Sequence, residues 1–520
     1  MDKRLFLIYD IISSGIKTSV FCEDGRLITS AYRPLVQFLE GKKAESSVAS
    51  WTDGMKETTS EALERSSEIL ELQGASEVSS HIAGICLSGM SQVCLLIDRE
   101  LRPLHEAWTW SDTRASEIDD PISEHFTEDE VYRITGSPDT PMSSIRKLYY
   151  IKQRMPEIYE KAYKMIQCKD YLALRLTGEV CTDYSDAAST GAFDIVKKEW
   201  CEDILAALGI DKSLMPRAIG SNEIAGFVTR EASEVFSLRE GTPVLIGAGD
   251  ILCSAIGAGV TEDGELYMSL GSSSWAACCS KEPAFDKDRI YAIDPHAVPE
   301  RYLSFVNYQT AGVVFKWLKN EIFRLTGERR PVEPYRNVYP YEGMAELVNE
   351  SKPGAHGLLF LPFILPGESP HPESYARGSY IGLCYEHTRA DMERAALEGV
   401  CFQLRAFAER LLSGRRPEMI TVTGIASHEE TFLQMLADVT GVPVRNTELH
   451  DTPDSIGAAV LTGKALGIYE DYKAADIYRK FENVFHPDFK NSEKYDKIYA
   501  VYTKAFSHTE DILKELEKIS

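Results

Sequence analysis

Long apolar runs are missing from this 520-residue chain: no window approaches the roughly 18 uninterrupted apolar residues of a membrane span. The opening stretch, MDKRLFLIYD, passes from charge through a strand-like apolar run to an acid, without the long apolar core and small-residue cleavage site of a secretory signal. A basic excess is missing as well. Eighty acidic against 56 basic residues give a net charge of −24, spread along the chain, which disfavours nucleic acid or an anionic membrane as partner. There is no CxxC pair among the eleven scattered cysteines, and the neighbours Cys278 and Cys279 face opposite sides of any strand. Reduced thiols in a cytoplasmic protein are the expectation. Low-complexity segments are absent too.

What is present is an ordinary 44% of apolar residues over a length that exceeds one core, so two domains of roughly 240 to 270 residues each are expected. Short β-branched runs alternate with amphipathic helical segments, the pattern of an α/β protein. The turn residues LREGTP, Leu238–Pro243, read as the linker, giving domains 1–240 and 241–520. The segment from Ser492 to Ser520 has helical spacing and reads as a cap on the second domain.

A faint internal repeat organises the chemistry. LFLIYDIISSGIKTSVFCEDGRLI has an apolar strand ending at Asp10, a small-residue turn, a strand from Ile16 to Cys22 and an Asp24–Gly25 hairpin. PVLIGAGDILCSAIGAGVTEDGELYMSLGSSS has a strand ending near Asp250, a glycine-rich segment and Asp263–Gly264 before another strand. Two facing lobes of this kind would bring Asp10 and Asp250 to a shared cleft, one from each half. Asp10, beside Ser13, Ser14 and Gly15, suits Mg²⁺, which takes hard oxygen ligands and keeps waters. Asp250, desolvated behind two glycines, suits a base that takes a proton from a hydroxyl during phosphoryl transfer. Met268–Trp275, MSLGSSSW, offers backbone N–H groups to phosphate. Trp110, Asp112 and Arg114 offer a stacking wall and directional hydrogen bonds to a polyhydroxylated ligand. Each has a plain alternative: a turn cap, a surface turn, a buried Trp beside an ion pair.

Longer stretches resemble the FGGY carbohydrate kinases, whose members include xylulokinase, gluconokinase and glycerol kinase. ARGSYIGLCYEHTRADMERAALEGV, Ala376–Val400, is similar to the second family signature, and LLFLPFILPGESPHPES to the stretch before it. PMSSIRKLYYIK, Pro141–Lys152, resembles the first signature, with Tyr150 where tryptophan is usual. KDYLALRLTGEVCTDYSDAASTGAFD, Lys169–Asp194, is similar to the xylulokinase-type members. The resemblance runs from Leu7 to about Tyr469.

It implies two actin-like, ribonuclease-H-like domains with a cleft between them, ATP held mainly by the second and sugar by the first. It further implies Asp10 as the metal and phosphate aspartate and Asp250 as catalytic base, also facing the substrate. Ser13, Ser14 and Lys17 fall at the first phosphate loop, Gly271 and Ser272 on the second, and Gly424 and Ala426 on the adenosine loop. Ser91, Gln92, Trp110, Asp112 and Arg114 fall on the sugar side. The expected activity is ATP- and Mg²⁺-dependent phosphorylation of a small sugar, a ketose such as xylulose being nearest, with a polyol or sugar acid as alternatives. Self-association into a homodimer is left open.

The departures bear on function. Ile12 replaces a glycine of Asp-x-Gly-Thr-x-Ser and would crowd the γ-phosphate. Gly424-Ile425-Ala426-Ser427 replaces a triple glycine. Ser91-Gln92 stands where xylulokinases carry Met-His, and Ile251 cannot hydrogen-bond a sugar. These losses favour a rival reading, a silent sugar- or nucleotide-binding sensor. Retention of Asp10, Asp250 and Arg114 favours the enzyme. An actin-like nucleotide hydrolase or chaperone would keep the fold without the sugar-side residues.

Overall fold

The computed structural model describes residues 4–270, 274–308, 313–314, 317–318, 344–365, 375–447, 453–479 and 481–519. It opens on β1, Leu5–Ile12, buried over all but its last residue, as suits a strand covered on both faces. A two-residue turn at Ser13–Ser14 joins it to the antiparallel β2, Gly15–Cys22, in a register that sets Asp10 opposite Lys17. Asp10 therefore lies two residues inside the strand, not at its end. The Asp24–Gly25 turn, with Gly25 at φ 93°, leads to β3, Leu27–Pro34. Helix α1, Val48–Ile69, lays Trp51, Met55, Ala62 and Leu63 into the same core.

β4, Ile82–Gly89, runs parallel to β1. Helices α2, Ser144–Arg154, α3, Cys168–Thr177, and α4, Tyr184–Ser189, follow. The edge strand β5, Ile224–Phe227, precedes β6, Pro243–Gly249, which is parallel to β4. The sheet order is β5–β6–β4–β1–β2–β3. Helix α5, Asp250–Gly257, starts where β6 stops.

The second sheet contains β7, Leu266–Leu270, β8, Ser274–Ser280, β9, Tyr302–Asn307, β10, Ile420–Thr423, β11, Val444–Thr447, and β12, Phe481–Phe485, in the order β9–β8–β7–β10–β11–β12. β7 is antiparallel to β8 and parallel to β10, β10 is parallel to β11, and β11 is antiparallel to β12. A seventh strand, Ala292–Pro295, borders β9; the other six repeat the strand order of the first sheet. Helix α6, Arg389–Leu411, opens on a reciprocal Thr388–Asp391 capping box inside the second signature stretch. Helix α7, Pro453–Ala465, follows β11 in the chain. Helix α8, Phe489–Ile519, buries Tyr495, Tyr499, Tyr502, Phe506 and Leu513 at helical spacing, and belongs to the second unit as its pattern suggests.

Four expectations are corrected. The compact units are Met1–Asp263 with Cys279–Leu303 and Thr452–Arg479, and Gly264–Cys278 with Ser304–Asp451 and Lys480–Ser520, so the division does not fall at 240/241. The run Val244–Gly249 is buried because it completes the first sheet; residues 238–243 are turn residues leading into that sheet, not a linker. The repeat also has another register. The β1–β2 hairpin corresponds in topology to the β7–β8 hairpin, and not to the strand before Asp250. Asp10 and Asp250 come from one sheet, not from one half each: Asp10 pairs with Ser88 of β4, and Gly249 pairs with Gly89 of that strand.

None of the eleven cysteines, all of them among the described residues, forms a disulfide. No helix among the described residues is long and apolar enough to cross a membrane.

Candidate functional site

Because β1, β4 and β6 are parallel, their carboxyl ends share one edge, the edge at which open α/β sheets bind ligands. That edge carries the Ser13–Ser14 turn, the Ser91–Gln92 segment and Asp250. Two strand spacings separate β1 from β6, about 10 Å between backbones, within reach of side chains directed at one ligand.

Asp10 is completely buried, and neither carboxylate oxygen accepts a hydrogen bond among the described residues. Its close cation is Lys17, whose ammonium lies 3.2 Å from Asp10 Oδ2 and 3.5 Å from Oδ1 of Asp454, in the first turn of α7. Burial first, then the Asp454 charge, push the Asp10 carboxyl well above the usual range; Lys17 opposes and Asp250 adds to the rise. Asp454 is itself held low: burial, the largest single influence, raises it, but Lys17, Asp10 and the Ser455 N–H together outweigh that cost. Asp454 carries no mark in the sequence, since a Pro–Asp pair reads as an ordinary helix start.

Asp250 keeps a sliver of exposed surface, while burial pushes its carboxyl up to about 7, against the pull of the Ile251 N–H, which donates to Oδ1 over 2.7 Å. Its Oδ2 accepts no protein hydrogen bond among the described residues, so a lone pair is free for a substrate proton. A carboxylate that titrates near neutrality can accept a proton and later release it. Ile251 contributes its backbone N–H here, a role its apolar side chain does not affect.

Of the residues expected to face the sugar, Trp110 is 39% exposed and donates its indole N–H to Ser13 Oγ over 2.8 Å. Ser13 also accepts a bond from Gln37 through its carbonyl, and Ser14 from Leu35 and Tyr32, so the turn is held from outside. Asp112 and Arg114 are differently placed. Asp112 is completely buried, accepts from Ala44 N at 2.9 Å and takes Arg114 through Nε and Nη2; Arg114 also reaches Glu45 at 2.7 Å and stacks 3.4 Å over the ring of Trp108. This pair braces the Trp110 turn. Ser91 Oγ is engaged too, donating to Asp186 at 2.9 Å, whereas Gln92 has a left-handed backbone, φ 59°, and a side-chain amide without a protein partner among the described residues.

Sequence reasoning missed a buried knot beneath Ser91 and Asp250. The Lys169 ammonium, without exposed surface, lies 2.7 Å from Asp183, 3.1 Å from Asp186 and 3.2 Å from Asp170. Asp183 also accepts from the hydroxyls of Ser185 and Ser221, and Ser185 Oγ accepts the Gly249 N–H at 3.0 Å. The knot thus fixes the residue before Asp250. In the sequence Lys169 reads as one charge on an amphipathic helix; its acids lie up to 17 residues away.

In the second unit, Gly424 has φ 87°, and a Cβ there would stand 2.7 Å from the carbonyl oxygen of Leu270, so glycine is required. Ala426 lies in the 3₁₀ turn Ile425–His428, right-handed backbone that needs no glycine. Gly271 and Ser272 lie outside the described residues.

Two sheets of one topology, with carboxylates at the ends of parallel strands, define the actin-like two-domain fold of sugar kinases. The chain belongs to the FGGY family of carbohydrate kinases: the family's N-terminal domain matches residues 5–257 and its C-terminal domain residues 266–466. It is a carbohydrate kinase, and ATP is the phosphoryl donor the family implies. Among curated relatives it is 28% identical over 524 residues to the xylulose kinase of Staphylococcus epidermidis, covering 100% of both chains. It is 29% identical over 511 residues to that of Bacillus subtilis, covering 97% of each. The ligand-bound xylulose kinase of Lactobacillus acidophilus shares its fold at a TM-score of 0.87 and 23% identity, over 99% of this chain and 100% of that one.

Proposed function

We propose that this kinase phosphorylates a terminal hydroxyl of a ketopentose, xylulose being the first candidate, in the cytoplasm, where its eleven thiols stay reduced. The substrate class rests on the full-length similarity to xylulose kinases. The observation that carries the chemistry is Asp250, with its unshared Oδ2 and a carboxyl pushed to about 7.

In the proposed reaction the sugar stacks on Trp110 and meets the Gln92 amide. Asp250 takes the hydroxyl proton as that oxygen attacks the γ-phosphorus of ATP; the bond from γ-phosphorus to the bridging oxygen breaks, and ADP leaves with the electron pair. Ser13, Ser14 and Lys17 hold the transferred group. Gly424 and Ala426, together with Gly271 and Ser272, are the proposed nucleotide contacts.

The residues fit Mg²⁺ as part of the nucleotide substrate. No group of three or more metal-ligating side chains is gathered among the described residues, but Mg²⁺ on a nucleotide keeps waters and phosphate oxygens and needs one or two carboxylates. Asp10, with two orphaned oxygens, would hold it. When bound it would neutralise charge on the β- and γ-phosphates.

The test is a coupled assay of ADP release over ketopentoses, polyols and sugar acids. Turnover highest with a ketopentose is expected; sugar binding without turnover on any of them would return the reading to a silent sensor. Ile12→Gly should tighten ATP binding, and unchanged binding would show that phosphate is seated despite the branched side chain.

A further inference from the structure

The Ser91–Val93 segment leaves β4 and has no strand partner, yet side chains from α2 and α4 and from Gln167, just before α3, hold its N–H and C=O groups. Gln92 N–H donates to Ser189 Oγ at 3.3 Å and Val93 N–H to Gln167 Oε1 at 3.0 Å, while Ser144 Oγ donates to Val93 O at 2.9 Å. The remaining acceptor, Gln92 O, takes a bond of 2.6 Å from Lys147 Nζ. The same ammonium donates to Thr109 O at 2.8 Å.

Lys147 lies on α2 within the first signature stretch, and it has no exposed surface. No carboxylate stands within ion-pair distance of it among the described residues, and burial pushes its amine down to about 7, Cys94 and Asp112 opposing that and Arg114 adding to it. Burying a lone ammonium is unfavourable unless its hydrogen bonds are needed where they fall. They fall on the carbonyl of Gln92 and on the carbonyl just before Trp110, the two walls of the proposed sugar site. Gln92 holds a left-handed backbone that a free loop would leave.

We infer that Lys147 is a positioning residue for the sugar: its ammonium ties the Gln92 segment to the Trp110 segment and so sets the width and orientation of the pocket that receives the hydroxylated chain. The assignment rests on the kinase reading. It predicts a selective consequence, because Lys147 touches neither Asp10 nor Asp250 and reaches no phosphate turn.

The experiment is steady-state kinetics of Lys147→Met, similar in length but without donors, with sugar and ATP varied separately. Sugar KM is expected to rise about tenfold or more, with ATP KM and kcat at saturating sugar within about threefold of wild type. Sugar KM within about twofold of wild type, or a common loss in every parameter, would overturn the assignment. Should that variant fail to fold, Ser189→Ala loosens Gln92 from its N–H side; sugar KM should rise about threefold, and an unchanged value would count against the inference. Absence of turnover in the wild type would defeat the kinase reading instead, and equilibrium binding of the same sugars to wild type and Lys147→Met would then decide the positioning role.

Discussion

Trp110 and Ser13, 97 residues apart, meet through a 2.8 Å hydrogen bond from the indole N–H to the hydroxyl oxygen, joining the proposed sugar wall to the turn proposed to hold phosphate. Such a link makes each side sensitive to the other. A double-mutant cycle of Ser13→Ala and Trp110→Phe, read on kcat/KM for sugar, should give a coupling of about 0.5–1.5 kcal/mol, the usual value of one hydrogen bond. Strict additivity would show that the two walls act independently.

Asp250 must be ionised to accept a proton, and burial raises its carboxyl to about 7. Sugar kcat/KM should therefore fall tenfold per unit as pH drops below about 7, and level off above it. Asp250→Asn should remove transfer, with sugar affinity within about tenfold of wild type. An initial-rate pH profile and a binding titration check both; an acid limb near 4 would mean that the carboxyl is not desolvated in the working enzyme.

The same shift has a stability consequence of opposite sense. A carboxyl raised in the folded state contributes stability below its unfolded value, near 3.8, and that contribution is lost as pH rises through about 7. Asp250→Asn should thus be more stable than wild type at pH 8, by about 1–2 kcal/mol after allowance for its exposed sliver, with the advantage vanishing near pH 4. Denaturant melts at the two pH values measure it.

Among the described residues Lys169 is the one cation within ion-pair distance of the buried Asp170, Asp183 and Asp186, and Asp186 is pushed to about 8 by burial even with that ammonium present. Lys169→Met should cost about 3–5 kcal/mol, because it leaves acids buried without their partner. Chemical denaturation reads this directly. A loss under about 1 kcal/mol would show that the knot gives up its charge by protonation at little cost.

The fold class, the strand character of Leu5–Ile12 and the hairpin after it, and the C-terminal helix were all legible from local pattern. Apolar runs, Asp–Gly turns and helical spacing depend on neighbours within a few residues, which a sequence displays. The register of the duplication was not legible, because two apolar strands ending in Asp look alike until pairing assigns Pro243–Gly249 to the first sheet. The Asp112–Arg114 pair was visible, but not that Asp112 is buried and that Arg114 stacks on Trp108.

The sequence by itself determined which strands and helices form and which side chains can do acid–base chemistry, since those follow from short-range periodicity and functional groups. Tertiary structure alone decided that Asp10, Lys17, Asp250 and Asp454 share one end of one sheet, and that Lys147 and Lys169 are buried behind it. Carboxyl shifts arise from burial and from charges hundreds of residues away, and neither exists until the chain is folded.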